Sequence, residues 1–384
     1  MSGSRRDNLA GTIYQRSNGT WVGRVVVSHS ALGRPKYKYI SGKSEVDVKK
    51  KIRAFYKSAS LAGSPKISLE TYIRAWMKDF KFGALKPSSY DRLEKTIENQ
   101  IIPYIGWIQM QSLTASDIQS LLTKLKVTGK SYSTVKKTYD CLNAVLLHAT
   151  INEDVVKNPM LLVTPPKQST FAPKQIRYFT DKEAAAITEE SKREYSTGRL
   201  VYPYGFAYIL MLNTGIRMGE LIGLEKEDFN RERRTLHIQR NVQAIKARNE
   251  DGSIREGREL SVSSTKTYSG DRTIPLNDNA ANAIEQLLLN NTSPYIVCTA
   301  NGGRVPPERL ERTFYRVLHN AGISKTGTHS LRHTFASMLF EDGVDIKTVS
   351  SLLGHASIQI TLNTYIHLIE GINKGATSSL DSRF

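Results

Sequence analysis

Two polar stretches, SLAGSPKIS (60–68) and TPPKQSTFAPKQ (164–175), break the hydrophobic patterning of this 384-residue chain. Pro, Gly and Ser punctuate both, as they do in linkers. The apolar patterning differs on the two sides of the first break, and each segment is apolar enough to bury a core of its own. Three units are expected, at residues 1–60, 65–163 and 174–384, in keeping with the length of the chain.

The first segment alternates. In GTWVGRVVVS (19–28), Trp21, Gly23, Val25 and Val27 fall on one side, and Val22, Arg24 and Val26 on the other, as in a strand. A shorter strand is expected over Thr12–Gln15, with SNG (17–19) as its turn, and a third over KYKYI (36–40). Ser44 with Asp47 resembles a capping box, opening a helix whose apolar face would be Val46, Ile52 and Phe55. The second segment is helical throughout. Leu69, Tyr72, Ile73, Trp76, Met77 and Phe80 recur at helical spacing. Further helices are expected in 87–106, in 114–125 with Thr114 as N-cap and Asp117 three residues on, and in 131–150. The third segment is mostly helical, with one β-rich insert running through TLHIQR (235–240), LSVSSTKT (260–267) and DRTIPL (271–276). The polar stretch 241–260 reads as a long connection within that insert. The expected class is therefore multidomain: a small three-stranded β-sheet plus helix, an all-α helical bundle, and a mainly α domain with a small antiparallel sheet.

Charge narrows the partner. The net charge is +18, and residues 1–60 hold 13 Lys and Arg against 3 Asp and Glu, a net of +10. Such an excess points to a polyanion. The opening MSGSRRDNLAG lacks the apolar core of a signal peptide, and no run of apolar residues is long enough to cross a membrane. Cys141 and Cys298 stand far apart with no ligand-spaced partner, so neither a disulfide framework nor a metal site is expected.

Four stretches of the third segment carry the chemistry. In LNTGIRMGELIGL (212–224), Gly215 ends one helix, Thr214 is placed to cap the next, and Arg217 and Glu220 share a face. An arginine there can fork two N–H donors onto a phosphate while Glu220 holds its guanidinium. In SSTKTYSGDRTIPL (263–276), Lys266 lies at a turn, where it can reach a groove and protonate a leaving oxygen. In GTHSLRHTFASMLF (327–340), His329, Arg332 and His333 fall on one helical face. An imidazole beside a guanidinium suits the charge that develops on a phosphate under attack. In SSLLGHASIQITLNTYIHL (350–368), His355 follows a glycine and Tyr365 comes ten residues later. Singly, each pattern also has an ordinary reading as an ion pair, a solvated lysine or a core aromatic.

In this order, the Arg of TGIRMGE, the Lys of TKT, the His-x-x-Arg of HSLRH, the His of LLGHAS and the Tyr of NTYIH resemble the tyrosine recombinase family. Nearly the whole chain is similar to the integrases of phages and conjugative transposons. The resemblance implies an arm-site DNA-binding domain over 1–60, a core-binding domain over 65–163 and a catalytic domain over 174–384. It implies that Tyr365 attacks the scissile phosphate to give a 3′-phosphotyrosyl bond. By the same resemblance, Arg217 and Arg332 clamp the non-bridging oxygens, Lys266 protonates the leaving 5′-oxygen, His329 acts as base toward the tyrosine, and His355 hydrogen-bonds the phosphate. Glu220 and His333 support them, His333 as a packing residue. Lys246 is a rival to Lys266. Ile360, Leu362 and Ile366 would pack a short helix, leaving the Tyr365 phenol turned toward DNA. Candidate DNA contacts are Arg24, Lys36 and Lys38 in the first unit and Lys86 and Lys130 in the second. The resemblance further implies double-stranded core and arm attachment sites, a homotetramer on DNA, an excisionase and host DNA-bending proteins as partners. It implies no metal or other cofactor, and action in the bacterial cytoplasm at the nucleoid. Two alternatives stay open on the residues: a type IB topoisomerase, and a DNA-binding protein that keeps the fold without strand exchange.

Overall fold

The computed structural model describes residues 12–17, 19–29, 35–52, 67–172, 176–264 and 270–365. The chain divides into two compact units, Met1–Ala172 and Pro173–Phe384.

The first unit opens with an antiparallel sheet in the order β1 (Thr12–Gln15), β2 (Trp21–His29), β3 (Pro35–Gly42). Gly23 pairs with Ile13 on one side and Ile40 on the other. This row faces α1, a helix over 45–52, whose Val48 and Ile52 bury against Val25, Trp21 and those isoleucines. A side chain at Gly23 would overlap Ile52 and stand 2.8 Å from Val48 Cγ1, so the glycine sets how closely the helix approaches. The expected helix starts where Ser44 Oγ accepts the Asp47 N–H, at 3.2 Å. Its buried face differs from expectation. Val46 is exposed, because it lies two residues from Val48, well round the helix from the i, i+4 pair Val48/Ile52. Phe55 lies outside the described residues.

The rest of this unit is a helical bundle: α2 (Leu69–Trp76), α3 (Pro87–Thr96), α4 (Ile102–Ile105), α5 (Ala115–Val127) and α6 (Tyr132–Ile151). Thr114 and Asp117 form a reciprocal capping box on α5. Leu69, Ile73, Ile101, Ile118, Leu125, Leu142 and Leu146 fill the core. Phe80, expected in the buried stripe of α2, is half exposed. A wide π-turn over Met77–Lys81 shifts the period, and the Phe80 ring instead meets the His148 ring edge-on, with centroids 4.3 Å apart.

The second unit is built round α8 (Gly205–Thr214), whose sequence GFAYILMLNT is apolar on almost every face and accordingly central. Around it stand α7 (Asp181–Ser191), α9 (Met218–Gly223), α10 (Asp278–Leu288), α11 (Pro307–Asn320), α12 (His329–Glu341), α13 (Ile346–Leu353) and α14, which runs from 358 to the last described residue, 365. A three-stranded antiparallel sheet has the order β4 (Phe229–Asn230), β5 (Thr235–Ile238), β8 (Arg272–Pro275). The polar stretch 241–260, expected as a connection, is largely a second sheet. β6 (Arg240–Arg248) pairs with β7 (Ile254–Ser264), turning at Gly252, whose φ is +82°. Charged residues fill both strands because only part of this ribbon is covered. Among the described residues, no helix is long and apolar enough to cross a membrane.

Candidate active site

The site begins at a helix break. Gly215 adopts φ +64° and ends α8, and its carbonyl is left pointing outward for another donor. Thr214 does not cap the following helix. It is buried, and its hydroxyl donates back to Leu210 within α8, at 2.6 Å. Arg217 itself occupies the N-cap of α9, and Glu220 replaces the expected threonine. Glu220 Oε2 accepts the Arg217 backbone N–H at 2.8 Å, and Oε1 accepts the Arg217 guanidinium at 2.7 Å. The carboxylate is buried, whereas the arginine head is 37% exposed and available to a ligand. Burial opposes ionisation of Glu220, but hydrogen bonds and charge from Arg272 and then Arg217 outweigh it and hold the carboxyl below its ordinary range.

Arg332 lies one turn into α12 and is only 1% exposed. It donates to the Gly215 carbonyl at 2.8 Å and to the Leu353 carbonyl, the last of α13, at 2.7 Å. One guanidinium thus ties three helix ends together while satisfying two carbonyls that lack helical partners. Burial and the charge of Arg217 lower its pKa to about 9, which leaves it a cation at neutral pH.

Gly354, at φ +64°, ends α13 and turns the chain into His355. His355 Nδ1 stands 2.7 Å from the Thr361 hydroxyl. Burial and the neighbouring Arg332 and Arg217 charges push its pKa down to about 3, so the imidazole is neutral. Tyr365 is 3% exposed. Its ring packs on Phe340, with centroids 5.5 Å apart, among Ala336, Val349 and Leu353. The expectation for its helix holds only in part: Leu362 is half-buried, but Ile360 is exposed and the tyrosine itself supplies the buried contact. Ile366 lies outside the described residues. Burial raises the phenol to about 12, against a lowering by Arg332.

Both histidines of α12 stand at the cleft. His333, read as a packing residue, has Nδ1 2.8 Å from the Tyr365 hydroxyl. His329, read as the base, is more exposed and meets the His333 ring edge-on at 4.7 Å between centroids.

Arg217, Glu220, His329, Arg332, His333, His355 and Tyr365 all line one cleft of about 540 Å3. Lys266 lies outside the described residues. Its rival Lys246 sits in β6 opposite Arg258 and does not line the cleft. Sequence reasoning missed Arg272, which hydrogen-bonds Glu220 beside the cleft. The available signal was its spacing in DRTIPL, two residues before the buried Ile274 and so on the inward face of β8. It also missed Asn241 and Gln243, which reach the cleft from β6.

The candidate DNA contacts divide. Arg24 lies on the sheet face away from α1, with its guanidinium 4.4 Å from the centre of the Tyr37 ring and Tyr39 directly across from it. Lys38 is exposed but pairs with Val25, on the row that α1 covers. Lys36 pairs with Ser28 in β3. Lys86 and Lys130 are exposed at the N-cap of α3 and just beyond α5.

The chain is similar to known proteins in sequence and in fold. A model of the phage integrase family matches residues 177–370, just over half the chain, and one of the phage integrase N-terminal SAM-like domain matches 68–126. A tyrosine recombinase XerC-like protein of Caldanaerobacter subterraneus subsp. tengcongensis is 26% identical over 337 residues, covering 83% of this chain and 84% of its own. Tyrosine recombinase XerA of Pyrococcus furiosus is 27% identical over 286 residues, 71% of this chain and 85% of its own. In fold, the chain is similar to the Tn1549 transposon integrase solved with transposon right-end DNA, with a TM-score of 0.61, 21% identity and coverage of 78% and 95%. It is also similar to a lambda integrase dimer bound to a core site, with a TM-score of 0.59, 17% identity and coverage of 92% and 94%. On this match across both units and over most of the second, the chain belongs to the phage integrase family, as a site-specific recombinase of the tyrosine type.

Proposed function

We propose that this recombinase is an integrase that cleaves and rejoins DNA through a 3′-phosphotyrosyl intermediate, inserting and excising a mobile element. The observation that carries the reading is the Tyr365 hydroxyl, 2.8 Å from His333 Nδ1 in a cleft shared with Arg217 and Arg332. A phenol held near 12 is a poor nucleophile at neutral pH, and an imidazole within hydrogen-bond reach can take its proton as the oxygen attacks. Tyr365 forms a bond to the scissile phosphorus and the bond to the 5′-oxygen breaks. His333 gains the phenol proton, and Lys266 gives one to the leaving oxygen. Arg217 and Arg332 hold the non-bridging oxygens as charge redistributes, and neutral His355 donates a hydrogen bond to one of them. The tyrosyl ester conserves the phosphodiester bond energy, and the reverse attack by a 5′-hydroxyl rejoins the strand.

In this reading, residues 1–60 bind arm sites, 65–163 grip the core site and 174–384 perform the chemistry. The half-buried Arg24 and the exposed Tyr37 and Tyr39 of the first sheet, together with the +10 charge of residues 1–60, support a role for this region on DNA. A homotetramer, an excisionase and host DNA-bending proteins complete the proposal. The integrase of Staphylococcus phage L54a, 26% identical over 180 residues, supports the mobile-element role, and a lambda integrase tetramer solved on a Holliday junction supports the tetramer.

The test is a nicked suicide duplex carrying the core attachment site. A covalent adduct should form and should be absent with Tyr365→Phe. An adduct that persists in that variant would reject Tyr365. Recombinant joints between two duplexes separate an integrase from a topoisomerase, which would relax DNA without exchanging partners.

A further inference from the structure

We propose that Arg272 is a positioning residue for strand cleavage, one that fixes the phosphate-binding head of Arg217 through Glu220. The inference rests on the strand-transfer reading above and extends it to a residue that reading does not use.

Arg272 is the first residue of β8, with a side chain only 8% exposed. Its neighbours in the strand show why it points inward. Ile274, two residues on, is buried in the core, and the alternation of a strand puts both on the same face. Each end of its guanidinium then finds an acceptor. Nη2 donates to Glu220 Oε2 at 3.0 Å and Nη1 to Glu220 Oε1 at 3.3 Å, a two-pronged arrangement. Nε donates to the Leu352 carbonyl at 2.7 Å, and Nη1 also reaches the Gly270 carbonyl at 3.3 Å.

These partners belong to the phosphate clamp. Both oxygens of Glu220 that receive Arg272 also receive Arg217, one from its backbone and one from its guanidinium. Leu352 precedes Leu353, whose carbonyl holds Arg332. Arg272 therefore braces the support of both clamping arginines from behind. It does not line the cleft itself. A lone carboxylate buried beside Arg217 would pull that exposed guanidinium inward to satisfy its own charge. With Arg272 meeting that demand, Arg217 is left able to share its donors with a phosphate. A second cation in the same place has a further consequence. Lysine would keep the charge but could not satisfy Glu220, Leu352 and Gly270 together, because it lacks the planar fork.

The experiment uses the full chain and two suicide duplexes. One carries the ordinary scissile phosphodiester. The other has a methyl group in place of one non-bridging oxygen, so that the scissile phosphate is uncharged. Single-turnover adduct formation at saturating DNA is compared for the unaltered chain, Arg272→Gln and Arg272→Lys. Adduct formation by the unaltered chain on the ordinary duplex is the control that tests the strand-transfer reading itself. Arg272→Gln should slow reaction on the ordinary duplex roughly 10- to 100-fold, less than the ~10²–10³-fold lost with a donor that touches the oxyanion directly. On the uncharged duplex, which asks less of Arg217, it should slow reaction no more than about 3-fold, and Arg272→Lys should fall between. The ratio of the two rates within one preparation is independent of how much of the variant is folded. An equal loss on both duplexes would reduce Arg272 to a packing role, and no loss on either would overturn the proposal outright.

Discussion

Gly215→Ala is the substitution with the widest consequences for so small a change. Gly215 sits at φ +64°, a conformation that costs an alanine about 1–2 kcal/mol. A methyl group there would overlap the edge of the Phe335 ring and stand 3.0 Å from Leu353 Cδ2. Overpacking of that kind costs about 1–3 kcal/mol. Together the two effects predict destabilisation of about 2–5 kcal/mol. The loss should not be confined to stability. The peptide that must move carries the carbonyl that holds Arg332, and Leu353, on the other side of the methyl group, carries the second. Relief of the clash therefore displaces Arg332 from both acceptors. Urea unfolding measures the first effect, and single-turnover cleavage of a suicide duplex, at a temperature where the variant is fully folded, measures the second. A cleavage rate equal to that of the unaltered chain under those conditions would refute the coupling. Stability within about 0.5 kcal/mol, the scatter of ordinary surface substitutions, would refute the steric argument.

Other perturbations separate the roles of individual groups. His333→Gln should slow adduct formation more than His329→Gln does, and single-turnover cleavage showing the reverse order would return the role of base to His329. Acidification should destabilise the second unit from about pH 6.5, the ordinary histidine value, down toward the native value of His355 near 3, because the unfolded chain takes up a proton that the native site rejects. His355→Gln should flatten that slope in urea titrations, and an unchanged slope would reject the burial argument. Lys266→Ala should abolish cleavage of an ordinary duplex, yet react readily with a duplex whose bridging 5′-oxygen is sulfur, a leaving group that needs no proton. Failure of that rescue would move the general acid elsewhere. Arg24→Ala should reduce the salt slope of arm-site binding by about one unit while sparing core cleavage, and an unchanged slope would remove Arg24 from the interface.

What could be read from the sequence was local. Arg217, Arg332, His355 and Tyr365 stand in short motifs whose order resembles that of the tyrosine recombinases, and the structure brings all four to one cleft. The capping box at Thr114, the Ser44–Asp47 hydrogen bond and the Arg16–Gly19 hydrogen bond of the first hairpin depend on neighbours three residues apart and were equally legible. What could not be read was tertiary. His329 and His333 lie one turn apart on the same face of α12, and only the position of α14 decides which one meets Tyr365. The same holds for Arg272. Its inward face is visible in DRTIPL, but the carboxylate that receives it is 52 residues away. Val46 and Val48 differ only in which one the sheet covers. The ribbon β6–β7 was hidden by its charges, since a strand half open to solvent carries little of the apolar alternation that marks a strand.

The central claim is that Tyr365 becomes covalently joined to the 3′-phosphate of the cleaved strand. The adduct formed on a suicide duplex can be digested with nuclease and protease and sequenced by tandem mass spectrometry. The account predicts a single modified peptide, with a nucleotide 3′-phosphate esterified to Tyr365. A phosphate on any other residue, or a linkage through the 5′-phosphate, would contradict it.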